Sequence, residues 1–269
     1  MIKCNLCGFQ EIELLYIKNK FEIVKCKNCG LIFVSNPPNS SLLQNEYYNK
    51  DYYQGKVYKN YLGEACSRIR DFKKRIKAIN KLYPCKGKLL DVGCAFGFFL
   101  QAAKEEGWNV YGMELSKEAS LQAQEKGFKV IQGDFCKIVL VKEKFDVVTF
   151  WDCIEHLEDP KGALLKANQL LKESGVVVIS TGNIDSIDAK ISRDKWDLLY
   201  PPYHLYFFSQ DTLNQLLGKT GFQIIKIDRN GGNVLNPAIF ERIIANKYLN
   251  YFLVKIFGGD IITVYAKKL

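Results

Sequence analysis

From Lys88 onward the chain alternates strand patterns with helical ones, and the first junction reads Asp91-Val92-Gly93-Cys94-Ala95-Phe96-Gly97, with small residues at every second position. Strand patterns fall at Lys88–Val92, Asn109–Met113, Lys129–Gln132, Phe145–Phe150, Val176–Ser180, Phe222–Ile227 and Ile261–Ala266. Helical patterns fall at Phe98–Glu106, Lys117–Lys126, Lys161–Lys172 and Gln210–Thr220. Three of the helices run into glycine, at Gly107, Gly127 and Gly221, the usual C-terminal stop. Alternation of this kind predicts a mostly parallel α/β sheet of seven strands with helices on both faces. No convincing crossover separates the last two strands, so the final strand is expected to be antiparallel.

In an open α/β sheet, ligands bind beyond the carboxyl ends of the strands. The residues at those ends are unusual here. After the first strand, Asp91 leads into Gly93, Ala95 and Gly97, whose small side chains let a ligand approach the backbone. After the second comes Glu114, followed by Leu115, an acid 23 residues beyond Asp91 and placed to accept both hydroxyls of a ribose. After the third come Asp134 and Phe135, an acceptor for an amine beside an aromatic that could cover a base. After the fourth come Trp151 and Asp152, then Glu155 and His156. A lone glycine turn is weak; four such ends in order are not.

The front of the chain carries a different pattern. Cys4-Asn5-Leu6-Cys7-Gly8 and Cys26-Lys27-Asn28-Cys29-Gly30 are near copies. Two residues between cysteines let both thiolates of a tight turn face one ion, and the following glycine permits the positive φ that such a turn needs. Cys4, Cys7, Cys26 and Cys29 together predict a closed, structural Zn²⁺ site, with Phe21–Lys25 and Leu31–Val34 as short strands of a zinc ribbon. A redox disulfide pair is the alternative. The other five cysteines are scattered and read as small buried hydrophobes. The expected organisation is a ribbon over 1–36, a linker and helical cap or lid over 37–84, and the α/β domain over 85–269.

The net charge of +9 raises the question of nucleic acid. Much of it lies between Arg68 and Lys88, where Ile69, Phe72, Ile76, Ile79 and Tyr83 fall at steps of three and four. That is an amphipathic helix with a basic outer face, read first as a solvated surface and second as an attractor of anionic substrate or RNA. Tyr47, Tyr48, Tyr52, Tyr53, Tyr58 and Tyr61 either line a pocket lid or pack a helical cap. The segment from Pro237 to Phe257 is an amphipathic insertion, expected to pack on the body or a second subunit, with lipid-surface contact as the minor reading. No stretch reaches the roughly 18 apolar residues of a membrane span, and Met1 to Gln10 lack a signal-peptide core, so a cytoplasmic protein is expected. Monomer and homodimer are both open.

Over roughly Cys85 to Leu269 the arrangement resembles the class I S-adenosylmethionine-dependent methyltransferases, which have a Rossmann-like sheet. Asp91 to Gly97 is similar to their first motif, with Glu114 in the place of the ribose-binding acid, Asp134 in that of the adenine-contacting acid, and Asp152 in the fourth-strand motif. Ile154-Glu155-His156-Leu157-Glu158-Asp159-Pro160 resembles the E-H-L-x-D-P stretch of the subgroup that includes ubiquinone-biosynthesis-type enzymes and enzymes of sugar and natural-product tailoring. Ala95 departs from the second glycine of the motif and still lets backbone approach. The resemblance implies S-adenosyl-L-methionine as cofactor and a small-molecule acceptor: a sugar, a nucleotide-sugar or a lipid-linked intermediate. RNA methylation, using the ribbon and the basic helix, is the weaker alternative, and a non-catalytic cofactor-binding or interaction protein is the third.

Methyl transfer asks the protein to align the nucleophile and, for a hydroxyl or an acidic carbon, to take its proton. The chain has two histidines, His156 and His204. His204 lies in His204-Leu205-Tyr206-Phe207-Phe208-Ser209, similar to the H-x-x-[YF]-F-S stretch in which a histidine serves some relatives as general base. His204 is the first candidate for the base or a substrate ligand, and His156 the second. Ser209 is expected to cap the helix that follows.

Overall fold

The computed structural model describes residues 2–38, 63–138, 143–230 and 259–269. The tyrosine run from Tyr47 to Tyr61 and the amphipathic insertion at Pro237 to Phe257 lie outside the described residues. In chain order the strands are β1 (Ile12–Lys18), β2 (Phe21–Cys26), β3 (Ile32–Val34), β4 (Lys88–Val92), β5 (Asn109–Glu114), β6 (Lys129–Gln132), β7 (Phe145–Trp151), β8 (Leu171–Gly182), β9 (Tyr206–Phe207), β10 (Phe222–Asn230) and β11 (Ile261–Lys268). The α-helices are α1 (Ala65–Leu82), α2 (Phe98–Glu105), α3 (Lys117–Glu125), α4 (Pro160–Leu170), α5 (Ile187–Ser192) and α6 (Gln210–Lys219).

Seven strands form one sheet in the order β10-β11-β8-β7-β4-β5-β6, mostly parallel and with the last strand antiparallel, as expected. β4 pairs in parallel with both β5 and β7, and β5 with β6. The order therefore reverses beside β4, and this switch point is where an α/β sheet opens a crevice for a ligand. β7 is buried along its whole length, as a strand covered on both faces must be. Gly107, Gly127 and Gly221 all take positive φ where their helices stop. The fifth strand starts earlier than the apolar run suggests, at Leu171 rather than Val176, directly after α4.

By contact the chain divides into two compact units. One contains Pro38–Trp151, Gly162–Val178 and Lys267–Leu269. Here α1 lays its apolar stripe inward: Ile76 and Ile79 are buried, while Ala65, Ile69 and Phe72 pack on a cluster of Ala95, Phe96, Phe98 and Ala119. Its outer face carries the cations, several of them paired, as in Arg68–Glu64, Lys74–Asp71 and Lys73–Glu105. Asp146 ties the base of this unit together. It accepts from Tyr83 Oη, from the Lys88 N–H and from Lys172 Nζ.

The other unit contains Met1–Pro37, Asp152–Lys161 and Ile179–Ala266. The cysteine-bearing segment forms an antiparallel sheet β1-β2-β3, and β9 adds a fourth strand through Ile32–Phe207 and Phe33–Tyr206. Ile23 and Val34 share a core with Trp196, Leu199 and Phe207. The ribbon is thus apolar on one face and buries that face against residues far along the chain. Ser209 caps α6 as expected: its side chain accepts from the Thr212 N–H, and Thr212 Oγ1 accepts from the Ser209 N–H.

Candidate active site

The loop after β4 is built on left-handed backbone. Gly93, Ala95 and Gly97 have φ of 77°, 44° and 79°. At Gly97 glycine is required twice over, since a Cβ there would also sit 2.9 Å from the Phe128 ring. Glu114, buried at the end of β5, clasps this loop to the start of α3. Its Oε2 accepts from the Ala95 N–H and its Oε1 from the Ser116 N–H, both at 2.8 Å. Leu115 follows, half-buried, and its carbonyl accepts from Gln132 Nε2.

Asp91 is buried within the same unit and accepts from Thr149 Oγ1 at 2.6 Å. Burial pushes its carboxyl up to about 8; the Thr149 hydrogen bond opposes this, the Glu114 charge adds to it, and Arg75 pulls it back. Thr149 was not expected from the sequence, although it is the hydroxyl residue inside the otherwise apolar end of β7. Trp151 packs edge-on against Phe99, and the Arg75 guanidinium lies 4.8 Å above its ring. The indole Nε1 is buried and meets no acceptor among the described residues. Asp134 turns back on its own loop, with Oδ1 accepting from the Cys136 N–H and Oδ2 paired with Lys137. Phe135 is buried edge-to-face against Phe150, with Lys166 Nζ over its ring.

In the other unit, His156 and His204 come together from segments 48 residues apart, their ring centroids 4.8 Å from each other. His156 sits in a short 3-10 turn, Ile154–His156, and His204 lies just before β9. His156 Nδ1 donates to the Tyr203 carbonyl at 2.7 Å, and His204 Nδ1 donates to that of Leu198 at 2.6 Å. A carbonyl only accepts, so each Nδ1 carries a proton; for neutral His204 this leaves the lone pair on Nε2, while His156 also hydrogen-bonds the main chain at Asp152. Burial keeps both rings neutral; it pushes His156 down to about 3, with His204 nearby adding to the effect, and it lowers His204 as well.

Glu155 is buried beside them, one carboxylate oxygen and one nitrogen of each ring all lying within 4.8 Å of one another. Its Oε2 has no hydrogen-bond partner among the described residues. Burial, then the neighbouring Asp152, raises its carboxyl to about 8. Asp152 holds a left-handed φ of 47° on a non-glycine residue, fixed by two bonds to Ser180.

The four cysteines of the ribbon converge. Cys4 Sγ lies 3.5 Å from Cys29 Sγ and Cys7 Sγ 3.6 Å from Cys26 Sγ, with all four within 4.8 Å. A disulfide needs about 2.05 Å, so neither pair is one, whereas sulfurs about 2.3 Å from a common zinc stand roughly 3.8 Å apart. Both knuckle glycines, Gly8 and Gly30, have φ of 78°. Burial pushes the Cys4 thiol up to about 11.

A family model described as a methyltransferase domain matches residues 61–227. The chain belongs to that methyltransferase family. It is an S-adenosylmethionine-dependent methyltransferase. This methyltransferase is 28% identical over 187 residues to a ubiquinone biosynthesis O-methyltransferase of Azorhizobium caulinodans, covering 64% of this chain and 73% of that protein. It is also 28% identical over 156 residues to an uncharacterized protein of Methanocaldococcus jannaschii, covering 58% and 73%. In fold it is similar to a SAM-dependent methyltransferase from Archaeoglobus fulgidus, with TM-score 0.57, 23% identity and coverage of 77% and 99%. The plantazolicin methyltransferase BpumL, solved with SAH, gives TM-score 0.54 at 18% identity, over 76% and 85%.

Proposed function

We propose that this methyltransferase acts on a small-molecule acceptor, a sugar, nucleotide-sugar or lipid-linked intermediate. The observation that carries the reading is the half-buried pair of neutral imidazoles, His156 and His204, beside Glu155. Bound S-adenosylmethionine supplies an electrophilic methyl group on a sulfonium. The residues of the glycine loop suit that cofactor: Gly93, Ala95 and Gly97 admit it to the backbone, Glu114 accepts the ribose hydroxyls, and Asp91 faces its cationic end. Trp151 Nε1 offers a further donor, and Asp134 an acceptor for the adenine amine.

On the acceptor side, His204 and His156 engage the nucleophilic atom. A proton leaving that atom has the Nε2 lone pair of His204 to go to, while His156, held neutral down to about pH 3, orients its partner. The ribbon holds a structural zinc ion on Cys4, Cys7, Cys26 and Cys29, and β9 links its sheet to the segment that carries His204. The organisation that fits these roles is a ribbon over 1–36, a cap over 37–84 and the methyltransferase domain over 85–269.

The test is incubation with methyl-labelled cofactor and fractionated cell extract. Label is expected in a low-molecular-mass or lipid fraction. Label confined to RNA would overturn the acceptor class, as would the absence of any labelled product.

A further inference from the structure

Resting on the reading that the His156–His204 cluster faces the acceptor, we infer that Glu155, His156 and His204 form a binding site for a first-row divalent metal ion. Three features of the cluster carry this, and the four-cysteine site has no part in it.

The first is the ligand set. Two imidazoles and one carboxylate present one ligating atom each within 4.8 Å of one another. An ion with bonds of about 2.1 Å holds ligand atoms on one side of it roughly 3.0–3.4 Å apart, so closure asks each group for an inward movement of about 1 Å at most. Two histidines and a carboxylate on one side of an ion leave its other positions open, which is the arrangement of reactive rather than structural sites.

The second is the outer support. A histidine that ligates a metal typically gives its other ring proton to a carbonyl or carboxylate, which fixes the tautomer and aims the lone pair. Both rings do this already, to the carbonyls of Tyr203 and Leu198. The turn that carries Glu155 is likewise held: the Leu205 N–H donates to the Glu155 carbonyl at 2.8 Å, and Leu205 adjoins His204. The two segments of the cluster are therefore tied by main chain.

The third is the orphaned acceptor. Glu155 is 3% exposed, and its Oε2 meets no donor among the described residues. A buried carboxylate oxygen without a partner is costly to the fold, and a cation removes that cost directly.

An ion here changes how the acceptor is activated. A hydroxyl oxygen entering an open position donates a lone pair to the metal, its O–H bond breaks, and the proton passes to water; the cation's charge stabilises the alkoxide that remains. His204 is then a ligand, and the site is suited to an acceptor with two neighbouring oxygens that can occupy two open positions together.

The experiment is a Mn²⁺ titration of the purified full-length chain, followed by electron paramagnetic resonance. Mn²⁺ favours oxygen and nitrogen donors over thiolates, so the ribbon does not compete. Saturable binding of one ion per chain is expected, weakened at least about tenfold in both His204→Ala and the isosteric Glu155→Gln. Circular dichroism and cofactor affinity check that each variant is folded. Absence of saturable binding of Mn²⁺, Co²⁺ or Zn²⁺ beyond the thiolate-bound ion would overturn the site, as would binding that survives in both folded variants. Methyl transfer that persists in the metal-free protein would overturn the ion's part in activating the acceptor and leave the acceptor reading standing. Metal binding without any small-molecule product would do the reverse.

Discussion

The rings of His156 and His204 meet edge to face, with planes inclined by 77°, and each gives its Nδ1 proton to a carbonyl from the loop between β8 and β9. Each imidazole is thereby held in one tautomer and one orientation. His204→Ala is expected to keep cofactor affinity within about threefold and to lose turnover by roughly 10²–10⁴. Parallel calorimetry with the cofactor and label transfer to the acceptor make the comparison. Near-normal turnover would remove His204 from the chemistry.

Loss of the zinc ion proposed on the four cysteines is expected to reach further than the ribbon. The Val34 N–H donates to the Leu205 carbonyl, and the Leu205 N–H donates to the Glu155 carbonyl, so β3 is two hydrogen bonds from the acid beside the histidines. Cys7→Ser, which leaves three thiolates, should release the ion, destabilise the unit by several kcal/mol in the manner of small metal sites, and lower turnover. Metal content by mass spectrometry and a thermal melt followed with and without added zinc check this. A zinc-free variant with an unchanged melt and unchanged turnover would leave the ribbon with no supporting role.

Much of this was legible in the chain itself. Small residues at alternate positions after Asp91 mark a loop whose backbone a ligand can approach; the three left-handed turns and the closure of Glu114 on that loop came from the structure. Helix stops at Gly107, Gly127 and Gly221 were readable as well. What could not be read was contact between distant segments. β9 is only two residues long, too short for any periodicity, and it exists because β3 offers it an edge. The partners of the two histidines are main-chain carbonyls, which every residue has and no sequence pattern marks. The edge-to-face contact of Phe135 with Phe150 likewise depends on the packing of β7 and is marked by no pattern in the chain.

Asp91 predicts a pH dependence. An unfolded aspartate titrates near 3.8, while the buried one is pushed up to about 8. Between these values the folded protein holds the proton more tightly than the unfolded chain, so stability is fully present below about pH 4 as far as this group is concerned and falls as pH rises towards 8. Cofactor-free protein should therefore lose stability from pH 6 to pH 8, and Asp91→Asn should flatten that slope, because the amide has no proton to release. Urea unfolding at three pH values tests this. An equal slope in wild type and variant would mean that Asp91 ionises freely in the fold.

Glu114 should prove structural and functional at once. It fixes the Ala95 and Ser116 N–H groups, one on the glycine loop and one at the N-cap of α3. Glu114→Ala leaves both amides without this acceptor, at about 1–3 kcal/mol for each that stays buried, and removes the ribose acceptor as well. Glu114→Gln keeps one carbonyl oxygen and so preserves one bond, but it sets an amide donor against a backbone donor at the other. The glutamine variant is expected to weaken cofactor binding by about ten- to a hundredfold with a small loss of stability, and the alanine variant to lose both. Because the two losses arise at the same carboxylate, saturating cofactor should restore less of the melting temperature in the variants than in the wild type. Calorimetric affinity measured beside thermal shift separates them. Full cofactor affinity in Glu114→Gln would show that the carboxylate serves only to shape the loop.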